Sequence, residues 1–392
     1  MNNFTFIDEE LNQLSNQGLK RELKVLANAC NPWVELENGK RVLQLGSNNY
    51  LGLANHLELI KASNIASTNF GIGSSGSRLL SGTTSLHIEL EKTIANFENT
   101  ESAIFFSSGY SANVGVLSSL IGKEDAVYSD EFNHASIIDG IRLSTATKFI
   151  YKHNNYNNLE QLIKENVNNF KRSFIITDTV FSMDGDIAPL NEIAKIAEKY
   201  DCITIVDEAH ATGVFGENGS GVIEEYGLSK YFPIRIGTCS KALGVEGGFC
   251  AGPKSVIDFL QNKARSFMFS TSPSPSVIGA VLQSLKLVSR DKSFKENLWL
   301  NARYLYDNLK QNKELKLNQF KTPIIVIYFN SIKEALMTSN ILLNEYNILA
   351  PAIRPPTVTI PRIRLTPMAS HCKEDLDIVI KAFESKIMLH NL

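Results

Sequence analysis

Residues Pro233–Gly252 read PIRIGTCSKALGVEGGFCAG. Two short apolar runs, Ile234–Gly237 and Phe249–Gly252, have the length of buried strands, and the glycine-rich turn between them carries Thr238, Cys239, Ser240 and Lys241. Small neighbours on both sides of Lys241, Ser240 and Ala242, place its amine just past a strand end rather than on a solvated face. Upstream, Cys202–Val206 is another apolar run, and it delivers Asp207 and, three residues on, His210.

Working outward, further strand candidates are Ala103–Phe106, Ala126–Ser129, Lys148–Tyr151 and Phe174–Thr177. Helical spacing separates them, as in Tyr110, Val114, Leu117 and Ile121, or Leu190, Ile193, Ala197 and Tyr200. Strands alternating with helices predict an α/β fold, a large domain over 46–285 built on a mainly parallel seven-stranded sheet. After Pro273 and Pro275 the pattern becomes a long helix (Phe294 to Leu309), a strand (Pro323–Phe329), a helix (Ser331–Tyr346), a strand (Arg362–Thr366) and a last helix with Leu376, Val379, Phe383 and Ile387. That predicts a smaller α+β domain over 286–392, and residues 1–45 read as an N-terminal amphipathic helix and a short strand pair.

Composition narrows the function classes. In 392 residues, 43% hydrophobic and 20% charged content is ordinary for a globular chain, and a net charge of −2 makes no case for nucleic acid or an anionic membrane. Five scattered cysteines lack paired metal-ligand spacing and read as reduced thiols. The start MNNFTFIDEE has no basic and apolar leader, and no run approaches the roughly 18 apolar residues of a membrane span, so a cytoplasmic protein is expected.

The residues at the strand ends suggest a chemistry. An amine and a carboxylate there fit a pyridoxal phosphate site, with Lys241 attached to the cofactor and Asp207 beside the pyridine nitrogen, keeping it protonated. His210 is placed to reach the ring's phenolic oxygen, and Thr238 the phosphate. Ser107, Ser108, Gly109 and Tyr110 open a helix after a strand, which suits a phosphate but serves equally as a cap. His134, in DEFNHASIIDG, either stacks on a ring and exchanges protons or caps a helix. Ser182 offers a hydroxyl, Asp184 and Gly185 shape a turn, and Glu208 reads as a solvated or structural acid.

These residues, with SNNYLGLANH (47–56), GIGSSGSRLLSGTTSLHIELE (71–91), FSSGYSANVGVLSSL (106–120), TDTVFSMDGDIAPL (177–190), IVDEAHATGVFGENGSG (205–221) and FSTSPSPS (269–276), resemble the α-oxoamine synthases, fold-type I pyridoxal phosphate enzymes. The string APAIRPPTVTIPRIRLTP (350–367) is similar to the branch that condenses L-alanine with a pimeloyl thioester, on coenzyme A or an acyl carrier protein. The resemblance implies that Lys241 holds the cofactor and moves the α-proton, while His134 stacks on the ring and polarises the thioester carbonyl. Gly109, Tyr110, Ser182, Asp207, His210 and Thr238 complete the cofactor contacts. It also implies Asn48 and Arg364 as ligands of the substrate carboxylate, with Arg362 the competing arginine, and Arg21 and Thr357 as acyl contacts. A homodimer follows, with Ser270 and Thr271 reaching the phosphate of the neighbouring subunit. The chain departs from the family in a shorter turn between Thr357 and Arg364 and in Asn49 where aspartate is common.

Rival readings are a synthase using glycine and acetyl-CoA, a serine-using long-chain synthase, an aminotransferase or desulfurase of the same fold, and a non-catalytic subunit. Retention of Lys241 speaks against the last, and the constrained place of Cys239 against a desulfurase.

Overall fold

The computed structural model describes residues 3–385. Its strands in chain order are β1 (Trp33–Glu35), β2 (Arg41–Gln44), β3 (Ser102–Phe106), β4 (Asp125–Asp130), β5 (Thr147–Tyr151), β6 (Arg172–Asp178), β7 (Ile203–Asp207), β8 (Ile234–Thr238), β9 (Gly248–Gly252), β10 (Lys316–Leu317), β11 (Ile325–Tyr328), β12 (Ile348–Leu349), β13 (Ala352–Ile353) and β14 (Arg362–Leu365). The chain divides into two compact units: residues 48–182 with 186–296, and residues 1–47 with 183–185 and 297–392.

In the first of these, seven strands form one sheet in the order β3-β9-β8-β7-β6-β4-β5. Neighbours from β8 to β5 pair in parallel, and only β9 runs antiparallel, to both β3 and β8. The strands are near-continuous apolar runs because a parallel sheet is covered on both faces; every residue of β4, β8 and β9 is buried. One core packs Ile104, Val127, Ile176, Ile205 and Ile236 against Val116 and Leu117 of helix Gly109–Leu120 and Ile137 and Ile141 of helix Ala135–Leu143. The parallel strands thus end together, and β6, β7 and β8 carry Asp178, Asp207 and Thr238 as their last residues. Open α/β sheets bind ligands outside those carboxyl ends.

The second unit has a four-stranded antiparallel sheet, β10-β11-β14-β13, and a three-stranded sheet, β1-β2-β12. Leu305, Leu309, Ile325, Ile363, Leu376, Val379 and Phe383 share its core, with Leu43 and Leu45 from the amino-terminal segment. The last helix spans Lys373–Glu384, so Ile387 lies outside the described residues. The two-residue strands β10, β12 and β13 are too short to leave a period in the sequence. No described helix is long and apolar enough to cross a membrane.

One buried acid sets a pH dependence. Glu98, 1% exposed, follows helix Ser85–Phe97, and neither of its carboxylate oxygens accepts a hydrogen bond. Arg235 donates to its backbone carbonyl at 2.7 Å and stands 3.7 Å from its carboxylate. Burial, opposed by Arg235 and reinforced by Glu208 and Glu224, pushes the Glu98 carboxyl up to about 8. The unfolded chain releases this proton near the ordinary glutamate value, so between there and about pH 8 the folded state binds more protons and stability falls as pH rises. Glu98→Gln removes that slope: thermal melts should show little difference from the parent at about pH 5 and a higher Tm for the variant at about pH 9.

Candidate active site

The site in the first unit is built from strand ends and the turns that follow them. β7 ends in Asp207, 5% exposed, whose Oδ1 accepts the Ala209 N–H at 2.8 Å and whose Oδ2 accepts Nδ2 of Asn113 at 2.6 Å. The same Asn113 nitrogen donates to Ser136 Oγ at 3.0 Å, and Ser136 Oγ lies 2.7 Å from Nδ1 of His134. Nδ1 also accepts the Ser136 N–H at 3.2 Å, so His134 caps helix Ala135–Leu143 and its proton sits on Nε2. The capping reading of His134 holds: one ring nitrogen caps the helix, and Nε2 has no partner among the described residues. Burial, opposed by Asp207 and reinforced by Lys241, lowers its pKa and keeps the ring neutral.

Asp178 stands beside Asp207 in register, accepts the His134 N–H at 2.8 Å, and was not singled out from the sequence although it too ends an apolar strand. Burial and the charge of Asp207 push it well above the carboxylate range, against the His134 hydrogen bond and Lys241. Asn113 and Ser136 are further members that sequence reasoning missed; a polar residue inside a helix gives no signal of its own.

Lys241, half-buried, lies in the turn after β8, held by Gly244 N–H to Lys241 O at 3.0 Å and Val245 N–H to Cys239 O at 2.9 Å. Its charge lowers the pKa of both His134 and Asp178. Cys239 is fully buried, and burial drives its thiol far above the usual range. His210, 7% exposed, has Nδ1 2.8 Å from Tyr50 Oη.

The helix after β3 begins at Gly109, with Ser108 Oγ accepting the Ser111 N–H at 3.0 Å. The N–H groups of Gly109 and Tyr110 have no acceptor among the described residues, and such a helix start is an anion cradle. Thr238 Oγ1 donates to Gly247 O at 2.9 Å, and a Cβ on Gly109 would stand 3.2 Å from Thr238. On Gly248 it would stand 2.5 Å from the Gly109 nitrogen, so only glycine lets β9 pass this close. Tyr110, 47% exposed, donates its hydroxyl to Asp139. Unfilled N–H donors, a hydroxyl, an amine and a buried carboxylate with a fixed orientation fit pyridoxal phosphate.

Ser182 sits half-buried in a turn after β6. Thr271 forms a bridge with Ser77, and neither Ser270 nor Thr271 joins the cluster just described. Glu208 is structural rather than solvated: it accepts Thr179 Oγ1 at 2.8 Å and the Val222 and Ile223 N–H groups, and burial pushes it up to about 7. His153, also missed, joins Asp130 and Asp186, each at 2.9 Å, and fastens the loop leading to His134. Asn48 is half-buried in the first unit.

In the second unit, Arg21 Nη2 donates to Thr357 Oγ1 at 2.8 Å. Arg362 and Arg364 share one strand, as expected. Arg362 is engaged with Asp184 Oδ1 at 2.5 Å and Met183 O at 2.8 Å, and Arg364 is 8% exposed.

The sheet order and the lysine and aspartate at its strand ends define a fold-type I enzyme, and residues 40–383 match the aminotransferase class I and II family, to which the chain belongs. Among its curated relatives, 8-amino-7-oxononanoate synthase 1 of Bacillus velezensis is 43% identical over 98% of both chains. A serine palmitoyltransferase variant from S. paucimobilis with bound PLP-myriocin aldimine superimposes with a TM-score of 0.90 at 30% identity, covering 97% of this chain and 96% of that one. 8-Amino-7-oxononanoate synthase from Francisella tularensis does so with a TM-score of 0.77 at 28% identity, over 90% and 99%.

Proposed function

We propose that the protein is an 8-amino-7-oxononanoate synthase of biotin biosynthesis, joining L-alanine to pimeloyl-CoA or a pimeloyl acyl carrier protein. The observation that carries this is the set Lys241, Asp207 and His134 at the strand ends of a chain 43% identical to such a synthase over nearly its whole length.

Bound pyridoxal phosphate supplies an electron sink for negative charge at the amino acid's α-carbon. Lys241 Nζ would hold the cofactor and, freed as an amine when the amino group of L-alanine takes its place, would take the α-proton. Asp207, its orientation fixed by Asn113 and Ala209, presents a carboxylate where a ring nitrogen must stay protonated. Gly109, Tyr110 and Thr238 would hold the phosphate, and Ser182 and His210 the ring oxygen. His134 Nε2–H donates to the thioester carbonyl oxygen as the new carbon–carbon bond forms and the carbon–sulfur bond breaks. Carbon dioxide leaves its electron pair on the α-carbon, and a proton returned by Lys241 takes its place. Asn48 and Arg364 bind the amino acid carboxylate, and Arg21 with Thr357 the far carboxylate of the acyl chain. A long apolar chain would leave Arg21 without an anion, which favours a dicarboxylic acyl group over the lipid-like substrate of a serine palmitoyltransferase.

A cytoplasmic homodimer completes the proposal. Leu57, Ile72, Leu80 and Phe269 are 81%, 79%, 87% and 71% exposed in the first unit, the kind of apolar surface a second copy covers. In that dimer Ser270 and Thr271 serve the phosphate of the partner's site. Mass spectrometry of reactions with L-alanine and pimeloyl-CoA should detect 8-amino-7-oxononanoate; 2-amino-3-ketobutyrate from glycine and acetyl-CoA, with no product from the first pair, overturns the reading.

A further inference from the structure

Helix Thr5–Asn16 stops at Gln17 and Gly18. Gly18 has φ +67°, a left-handed conformation that glycine takes without a Cβ penalty, and the next N–H, of Leu19, turns back to Leu14 O at 2.8 Å. The chain leaves this cap with two carbonyls facing one guanidinium: Arg354 Nε donates to Gly18 O at 2.6 Å and Nη2 to Lys20 O at 2.8 Å. Arg21 is the next residue. Arg354 itself follows β13, and its own carbonyl accepts the Thr357 N–H at 3.2 Å. One residue therefore holds the backbone before Arg21 with its side chain and the turn bearing Thr357 with its main chain. The two meet where Arg21 Nη2 donates to Thr357 Oγ1.

The charges point the same way. Among the described residues Arg21 and Arg354 bond only neutral oxygens, and neither forms an ion pair. Burial and the like charge of Arg21 both depress the Arg354 guanidinium, so the two cations lie within electrostatic reach of one another. Two neighbouring cations with neutral partners make a site that favours an anion, and an exposed arginine needs a fixed backbone to offer its fork in one direction.

We propose that Arg354 is a positioning residue for acyl-chain selection: by bridging the carbonyls of Gly18 and Lys20 it sets Arg21 against Thr357, and that pair receives the distal carboxylate of a dicarboxylic acyl thioester. The proposal rests on the functional reading given above. Its chemistry requires a planar fork, since an ammonium is a point donor and cannot reproduce both in-plane bonds at once.

The test compares kcat/KM for pimeloyl-CoA with that for heptanoyl-CoA, which has the same chain length without the distal carboxylate. The parent protein, Arg354→Gln, Arg354→Lys, Arg21→Gln and the double variant Arg21→Gln/Arg354→Gln are measured with L-alanine as holoenzymes. The pimeloyl-to-heptanoyl ratio should fall about tenfold in Arg354→Gln, mainly through KM for pimeloyl-CoA, and also fall in Arg354→Lys, which keeps the charge. The double variant should lose no more of the ratio than Arg21→Gln alone, because both changes disable one device. Equal losses on both thioesters, an undiminished ratio, or additive losses in the double variant overturn the positioning role. A parent protein that converts pimeloyl-CoA no better than heptanoyl-CoA overturns the functional reading itself, an outcome visible before any variant is compared.

Discussion

Lys241→Ala should lose turnover by more than about 10³-fold, because the side chain that carries the cofactor and the base that moves the α-proton are one amine. The fold should survive. Lys241 lies in a turn whose geometry is set by backbone bonds from Gly244 and Val245, and its neighbours Ala242 and Leu243 are buried independently of it. Absorbance spectra of the purified variant with added pyridoxal phosphate should lack the visible band of a cofactor joined to lysine, while circular dichroism and thermal melts stay near the parent. Loss of the band separates this outcome from simple unfolding. A variant with parent-like turnover would remove Lys241 from the mechanism altogether.

Asp207→Asn is the second large effect, with kcat expected to fall about 10³-fold while the cofactor still joins Lys241. The change is nearly isosteric, so its cost lies in charge and hydrogen bonding. An asparagine at this place has one acceptor oxygen where the carboxylate satisfies two donors, the Ala209 N–H and Asn113 Nδ2, so one buried donor is left unpaired. The charge that keeps a ring nitrogen protonated is lost with it. Asp178 responds as well: without the neighbouring negative charge that helps raise its carboxyl, its pKa moves back toward the usual range. Steady-state kinetics with saturating L-alanine and pimeloyl-CoA, beside cofactor absorbance, check this. A fall in kcat with the lysine-linked band retained is the expected pattern, and loss of both together would assign Asp207 to cofactor retention instead.

The parts of this account that the amino-acid sequence displays are those in which one residue's chemistry is decided by its immediate neighbours. Six of the seven central strands are mostly buried runs, the edge strand β5 being largely exposed, and several strands run past their expected bounds because the flanking polar residues, such as Asp125 and Asp130 on β4, still pair in the ladder. Lys241 and Asp207 stand out because a charge at the end of such a run is unusual. Asp178 has the same signature and gained meaning only from its register with Asp207. Asn113 and Ser136 depend on a long-range contact that no local pattern encodes. Arg21 looks like a solvated charge in its own segment; its pairing with Thr357 spans most of the chain. The partner of Arg362, Asp184, likewise lies far away in sequence.

The most direct test of the function is release of free thiol from acyl thioesters by the purified holoenzyme, measured across L-alanine, glycine and L-serine with pimeloyl-CoA, acetyl-CoA and palmitoyl-CoA. Release should require both L-alanine and pimeloyl-CoA, with glycine slower by the modest factor, about 10-fold or more, that one methyl group provides. Release with glycine and acetyl-CoA, or with L-serine and palmitoyl-CoA, and none with L-alanine and pimeloyl-CoA would contradict it.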